Sequence, residues 1–133
     1  MTKRHHILLV DDDRLVVATL KAGLTRAGFE VSTAATGEEG VAMVGQAKPD
    51  LAIVDFRMPG AGGLEFARYL REQTTIPFVF LSADSDEEIV QRALDAGALG
   101  YLVKPLDFTQ LVPVIQATLA QAKEIARLRE PEA

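Results

Sequence analysis

The chain has no cysteine. A disulfide framework and a thiolate metal site are therefore both excluded. Positive charge is in deficit, with 14 Lys and Arg against 19 Asp and Glu and a formal net charge of −5. That balance speaks against direct binding of nucleic acid through bulk positive charge, because such binding rests on counterion release by Lys and Arg. Long apolar runs are also missing, the longest falling far short of a membrane span. The opening Met1-Thr2-Lys3-Arg4-His5-His6 lacks the apolar stretch and small-residue cleavage site of a signal peptide. The cytoplasm is the expected location, and no membrane partner is expected. What remains is an ordinary globular mixture of 133 residues, 48% hydrophobic and 25% charged, the size of one domain with one core. No repeat, low-complexity tract or internal linker interrupts it, so a single domain is expected over residues 1–133.

Five short apolar runs alternate with longer segments of helical character: Ile7–Val10, Phe29–Thr33, Leu51–Val54, Phe78–Leu81 and Gly100–Val103. Four are nearly continuous in hydrophobicity, which predicts strands buried on both faces, as in a parallel sheet covered by helices. The second alternates Phe29, Val31 and Thr33 with Glu30 and Ser32, the pattern of an edge strand. Thr36 with Glu39 and Ser85 with Glu88 have capping-box spacing, and Asp107 with Gln110 is a looser version. Gly28 and Gly97 stand where helices should stop. Val16, Leu20, Leu24 and Ala27 mark one apolar helix face, and Ile89, Val90, Ala93 and Leu94 another. Five βα units with short connections predict a doubly wound α/β sandwich. Pro113 falls about two turns into the last helix, where a bend or a 3₁₀-like first turn is expected. Beyond it Ile115, Leu119, Ala122, Ile125 and Leu128 continue an apolar stripe, so this helix should extend through about 120–130.

Ligands of open α/β sheets bind at the carboxyl ends of the strands. The residues at those ends are Asp11-Asp12-Asp13, Asp55, Ser82 and Lys104-Pro105. Alone, the aspartate triplet would read as a helix cap with solvated neighbours. With Asp55 at the end of a neighbouring strand it reads as a metal site, Asp13 remaining the cap. Converging carboxylates repel unless a cation sits among them. Oxygen ligands without His or Cys favour a hard ion, Mg²⁺ or Mn²⁺. A carboxylate can also attack phosphorus to form an aspartyl phosphate. Lys104 could then neutralise charge on the transferring group while Ser82 donates to one of its oxygens.

At these residues the chain resembles the receiver domains of two-component response regulators. The matching stretches are Ile7-Leu8-Leu9-Val10-Asp11-Asp12-Asp13, Pro49-Asp50-Leu51-Ala52-Ile53-Val54-Asp55-Phe56-Arg57-Met58-Pro59, Leu81-Ser82-Ala83, and Gly97-Ala98 with Tyr101-Leu102-Val103-Lys104-Pro105. The resemblance implies a flavodoxin-like (βα)5 sheet of order 2-1-3-4-5. It further implies a phosphoacceptor at Asp55, and metal held by Asp11, Asp12, Asp55 and the backbone carbonyl of Arg57. Ser82 and Lys104 would contact the phosphoryl group, Tyr101 would be an aromatic switch, and the Lys104-Pro105 bond would be cis. The donor would be a histidine kinase or histidine phosphotransfer protein. The surface formed by the fourth helix, fifth strand and fifth helix would then act on an output domain, a partner protein or a second copy, the last helix being another place for such a homodimer. The role so implied is signalling, with catalysis confined to the domain's own phosphorylation and dephosphorylation.

One departure is the run Gly60-Ala61-Gly62-Gly63, where the family often has Met-Asp-Gly, and a more flexible loop is expected there. Arg57 and Asp84 have opposite charge and could pair across the mouth of the site. The stretch from Gly97 to Leu106 and the tail Ala120–Glu130 are similar to receivers that precede RNA-binding antitermination modules. Two other classes compete. A phosphohydrolase of the haloacid dehalogenase kind would use Asp11 and Asp13 as its Asp-x-Asp pair, but the chain is short for that fold. A flavin module would need Ser, Thr and Gly donors for its phosphate, where this chain has three aspartates.

Overall fold

In the computed structural model, residues 4–58, 62–83, 87–104 and 108–129 are described. Five strands and five helices alternate: β1 (His6–Val10), α1 (Arg14–Arg26), β2 (Glu30–Ala34), α2 (Gly37–Ala47), β3 (Leu51–Asp55), α3 (Gly62–Gln73), β4 (Phe78–Ser82), α4 (Glu87–Asp95), β5 (Gly100–Val103) and α5 (Phe108–Arg129). The strands form one parallel sheet of order β2-β1-β3-β4-β5, the doubly wound architecture and strand order expected. The chain reverses winding direction after β2, which opens a crevice at the carboxyl ends of β1 and β3.

Continuous hydrophobicity of the inner strands follows from burial on both faces. Leu8, Val10, Ala52, Val54 and Phe80 point into one core with Val44 of α2, Phe66 and Leu70 of α3, and Ala93 of α4. Ile7, Leu9, Leu51, Ile53, Val79 and Leu81 point into the other, with Leu20 and Leu24 of α1 and Leu111 and Ile115 of α5. Successive side chains on a strand alternate faces, so each strand needs apolar residues at every position to serve both layers. β2 takes the sheet edge, as expected, with Glu30 exposed and Val31 packed against the second core, although Val31, Ser32 and Thr33 are alike half-buried.

The caps follow local chemistry. Thr36 accepts a hydrogen bond from the Glu39 amide at 3.1 Å, while Glu39 reaches back to the Ala35 amide at 2.8 Å, one residue earlier than a reciprocal capping box would place it. Gly28 and Gly97 hold φ of 102° and 98°. Each closes a Schellman turn: Phe29 and Gly28 donate to the Leu24 and Thr25 carbonyls, and Ala98 and Gly97 to those of Ala93 and Leu94. The Ser85 and Asp107 caps lie outside the described residues.

Three expectations need correction. Ala27 is exposed as the C-cap of α1 rather than part of its buried face. Leu94 is 47% exposed, because the last turn of α4 rotates it away from the core. Of the two alternatives expected at Pro113, the 3₁₀-like first turn is not found, since α5 is α-helical at all its described residues; Pro113 is exposed there. At 22 residues α5 spans about 33 Å, against about 16 Å for a strand of this sheet. Its apolar stripe therefore outruns the core, and Leu128 is 71% exposed.

Candidate functional site

Register brings the acids together. Val10 pairs with Val54 across β1 and β3, so the next residue on each strand, Asp11 and Asp55, emerges side by side at the carboxyl edge. Asp55 pairs with Leu81 of β4, which sets Ser82 one step beyond on the next strand. Ser82 in turn pairs with Val103 of β5, and the Lys104 amide donates to the Ser82 carbonyl at 2.8 Å. Parallel pairing alone thus delivers two carboxylates, a hydroxyl and an ammonium to one rim.

Asp11 and Asp55 are 1% and 6% exposed and Ser82 is buried, whereas Asp12 points outward. Oxygens of Asp11, Asp12 and Asp55 lie within 4.8 Å of one another. The Lys104 ammonium stands 3.2 Å from Oδ2 of Asp11 and 3.7 Å from Oδ2 of Asp55. The remaining oxygens are held by backbone: the Asp13 amide donates to Oδ1 of Asp11 at 2.9 Å, and the Arg57 amide to Oδ1 of Asp55 at 3.3 Å. Burial and the neighbouring Asp11 carboxylate push the Asp55 carboxyl from 3.8 up to about 7, against the pull of Lys104 and the Arg57 amide. One ammonium shared by two buried carboxylates leaves the pocket short of positive charge. Oδ2 of Asp11 is buried and, besides that shared ammonium, has no hydrogen-bond partner among the described residues. A nest of three carboxylates served by one ammonium fits a hard divalent cation.

The structure brings together Asp11, Asp12, Asp55 and Lys104 and places Ser82 on the adjoining strand end. Tyr101 lies farther back, half-buried on β5, its ring centroid 6.4 Å from that of Phe56. Asp13 stays out of the cluster: its carboxylate caps α1, accepting from the Leu15 and Val16 amides at 3.0 and 3.2 Å. The Asp-x-Asp pair that a dehalogenase-like site needs is thereby divided. Pro105, and with it the peptide bond expected to be cis, and Asp84, the expected partner of Arg57, lie outside the described residues. In the glycine run, residues 59–61 are likewise outside, but Gly62 and Gly63 belong to the first turn of α3 and not to a flexible loop.

Gly63 matters for a reason the sequence did not disclose. A Cβ there would fall 2.1 Å from the Asp55 carbonyl oxygen, so the start of α3 packs directly on the backbone of the acid. Phe56 and Arg92 were also missed. Arg92 lies over the Phe56 ring, 6.0 Å from its centre, a contact between residues too distant in sequence for any spacing rule to find.

Fold and site together describe an α/β domain with its chemistry concentrated in one acidic pocket at the switch edge of the sheet. The chain belongs to the response regulator receiver domain family, whose model matches residues 7–116. It is 37% identical over 123 residues to the transcriptional regulatory protein PdtaR of Mycobacterium tuberculosis, covering 92% of this chain and 60% of that protein. It is 36% identical over 117 residues to the transcriptional regulatory protein AfsQ1 of Streptomyces coelicolor, covering 88% of this chain and 52% of the other. The solved structure of the chemotaxis protein CheY4 of Vibrio cholerae superposes with a TM-score of 0.81 at 32% identity, covering 87% of this chain and 99% of that one. The chain thus spans little more than half the length of these two curated relatives. Among the described residues no helix is long and apolar enough to cross a membrane.

Proposed function

We propose that this receiver accepts a phosphoryl group on Asp55 from a phosphohistidine of a histidine kinase or phosphotransfer protein. The observation that carries the reading is the Asp55 carboxylate, buried at a strand end, with an ammonium 3.7 Å away and two further aspartates beside it. An oxygen of Asp55 attacks phosphorus in line as the phosphorus–nitrogen bond breaks and the histidine nitrogen leaves. The Arg57 amide fixes one oxygen of Asp55, which leaves the other, Oδ2, toward the incoming group. Lys104 balances the charge gained at the pocket, and Ser82 donates its hydroxyl to a phosphoryl oxygen. Asp11, Asp12, Asp55 and the Arg57 carbonyl are the groups that would hold Mg²⁺, or Mn²⁺ in its place. When bound, that ion supplies positive charge for the transferring oxygens and allows Asp55 to ionise at neutral pH. The protein catalyses only its own phosphorylation and dephosphorylation.

Phosphorylation adds about −1.5 to −2 charge at a rim formed by the ends of β3, β4 and β5. Ser82 and Lys104 are drawn to it, Tyr101 turns inward, and the α4-β5-α5 surface changes for an output domain, a partner protein or a second copy. The test is treatment with a small phosphodonor and magnesium, read by intact mass. The wild type gains one phosphoryl group and Asp55→Asn gains none; equal uptake by both proteins excludes Asp55 as acceptor.

A further inference from the structure

The acid nest is accounted for by the reading above, but a cluster just behind it is not. Phe56 follows Asp55, is 6% exposed, and is approached by side chains of three different elements. Phe80 of β4 meets it edge-on, with centroids 5.2 Å apart and planes at 80°. Tyr101 of β5 lies tilted against it at 6.4 Å. Arg92 of α4 sets its guanidinium over the ring at 6.0 Å. A cation over an aromatic face is attracted by the ring quadrupole, and the weakly hydrated guanidinium suits that position.

The contact gains weight from the construction of α4. This helix has nine residues and only Ala93 is buried, with Ile89 packed against the core at its edge. A helix so short does not persist by itself, and one with few buried apolar contacts opens readily. Its C-terminus is tethered by Arg71 of α3, whose Nη1 donates to the Asp95 carbonyl at 3.2 Å. Arg92 is the corresponding tether to the sheet, and it lands on the residue adjoining Asp55.

We propose that Arg92, seated over Phe56, is a latch that holds α4 on the sheet in the unphosphorylated chain and couples its position to Tyr101. The proposal deepens the reading of α4-β5-α5 as the output face and rests on it. Tyr101 and Arg92 share one ring, so an inward turn of Tyr101 changes the surface on which Arg92 sits. Loosening Arg92 frees α4 and moves the population toward the switched form.

The test is hydrogen exchange of the α4 amides in the unphosphorylated, metal-free protein, with α5 amides as the reference for global opening. The ring environment of Tyr101 is read by ¹⁹F NMR of the fluorotyrosine-labelled protein in a Tyr69→Phe background. Arg92→Gln is expected to speed α4 exchange about two- to five-fold relative to α5, the factor that loss of an exposed cation–π contact produces, and to shift the Tyr101 resonance. Arg92→Lys keeps most of the protection, and Arg92→Gln adds nothing in a Phe56→Leu background. Unchanged α4 exchange, an equal rise in α5, or the same increment without the Phe56 ring overturns the latch. Phosphoryl uptake on the same proteins is a separate result. Its absence in the wild type removes the phosphoacceptor reading, while the exchange data still decide whether Arg92 tethers α4.

Discussion

Substituting Asp55 by asparagine should stabilise this protein in the absence of divalent cations, and the gain should depend on pH in a definite direction. In the folded chain the Asp55 carboxyl is raised to about 7 by burial and by Asp11, from an ordinary 3.8. Between those values the folded state retains a proton that the unfolded state has released. Stability therefore falls as pH rises through that window, and the loss is complete above about 7. A displacement of that size corresponds to on the order of 4 kcal/mol, an upper limit because water and the Lys104 side chain can adjust around the charge. Asparagine has nearly the same shape, can still accept from the Arg57 amide, and carries no charge to repel Asp11. Urea unfolding of both proteins in chelator, followed by circular dichroism from pH 4 to pH 8, should give similar midpoints near pH 4 and a widening advantage for Asp55→Asn up to pH 8. Even half the limit would raise the melting temperature by several degrees. Magnesium should stabilise the wild type more than the variant at pH 8, narrowing the gap. A difference that stays flat with pH, or that favours the wild type at pH 8 in chelator, would refute the claim that burial and the Asp11 carboxylate together disfavour the ionised Asp55.

Other substitutions separate the roles of the surrounding residues. Lys104→Met removes the ammonium shared by Asp11 and Asp55 and should cost on the order of 3 kcal/mol at pH 8, with phosphoryl uptake falling sharply; urea midpoints and intact mass together check both effects. Gly63→Ala forces a methyl group against the Asp55 carbonyl oxygen, 2.1 Å from the position a Cβ would take, so a loss of about 1–3 kcal/mol is expected. A urea midpoint equal to wild type would mean that the first turn of α3 can slide off the strand end. Asp13→Ala deletes the α1 cap and should lower stability by about 1 kcal/mol while leaving Mg²⁺ affinity, measured by calorimetry, nearly unchanged. Loss of metal binding in that variant would restore Asp13 to the ligand set and reopen the hydrolase reading.

The sheet was legible because its physics is periodic and local. Strands needed on both faces have to be apolar at every position, as a covered parallel sheet demands; the strand ends expected from those runs match the observed ones to within one residue. The same logic found β2 at the edge, since Glu30 and Ser32 could not serve a second core. Helix starts and stops were visible where one side chain or one glycine decides them, as at Asp13, Thr36, Gly28 and Gly97. Lys48 shows the limit of that logic: it closes α2 in a left-handed conformation with φ of 49°, a position where glycine is the usual signal. Ala27 and Leu94 were misplaced because a periodic stripe does not say where a helix stops facing the core.

The acid nest was legible for a different reason. In a parallel sheet the residues just past the strands must share one rim, so a list of strand ends is already a list of neighbours. What such a list omits is how strongly those neighbours constrain one another. Nothing in the spacing of Asp11, Asp12 and Asp55 says that Asp11 and Asp55 are buried and Asp12 is not, yet the burial of that pair raises the Asp55 carboxyl and leaves both acids to share one ammonium. Gly63, Phe56 and Arg92 were invisible because each acts through a contact fixed only after the helices dock: a backbone carbonyl, a ring and a guanidinium that no local pattern relates. Strand order thus fixes where the chemistry is placed, and helix docking fixes how tightly it is held. The electrostatic strain at Asp55 belongs to both, since parallel pairing puts the carboxylates side by side and the first turn of α3 packs on the Asp55 backbone, where the acid is buried.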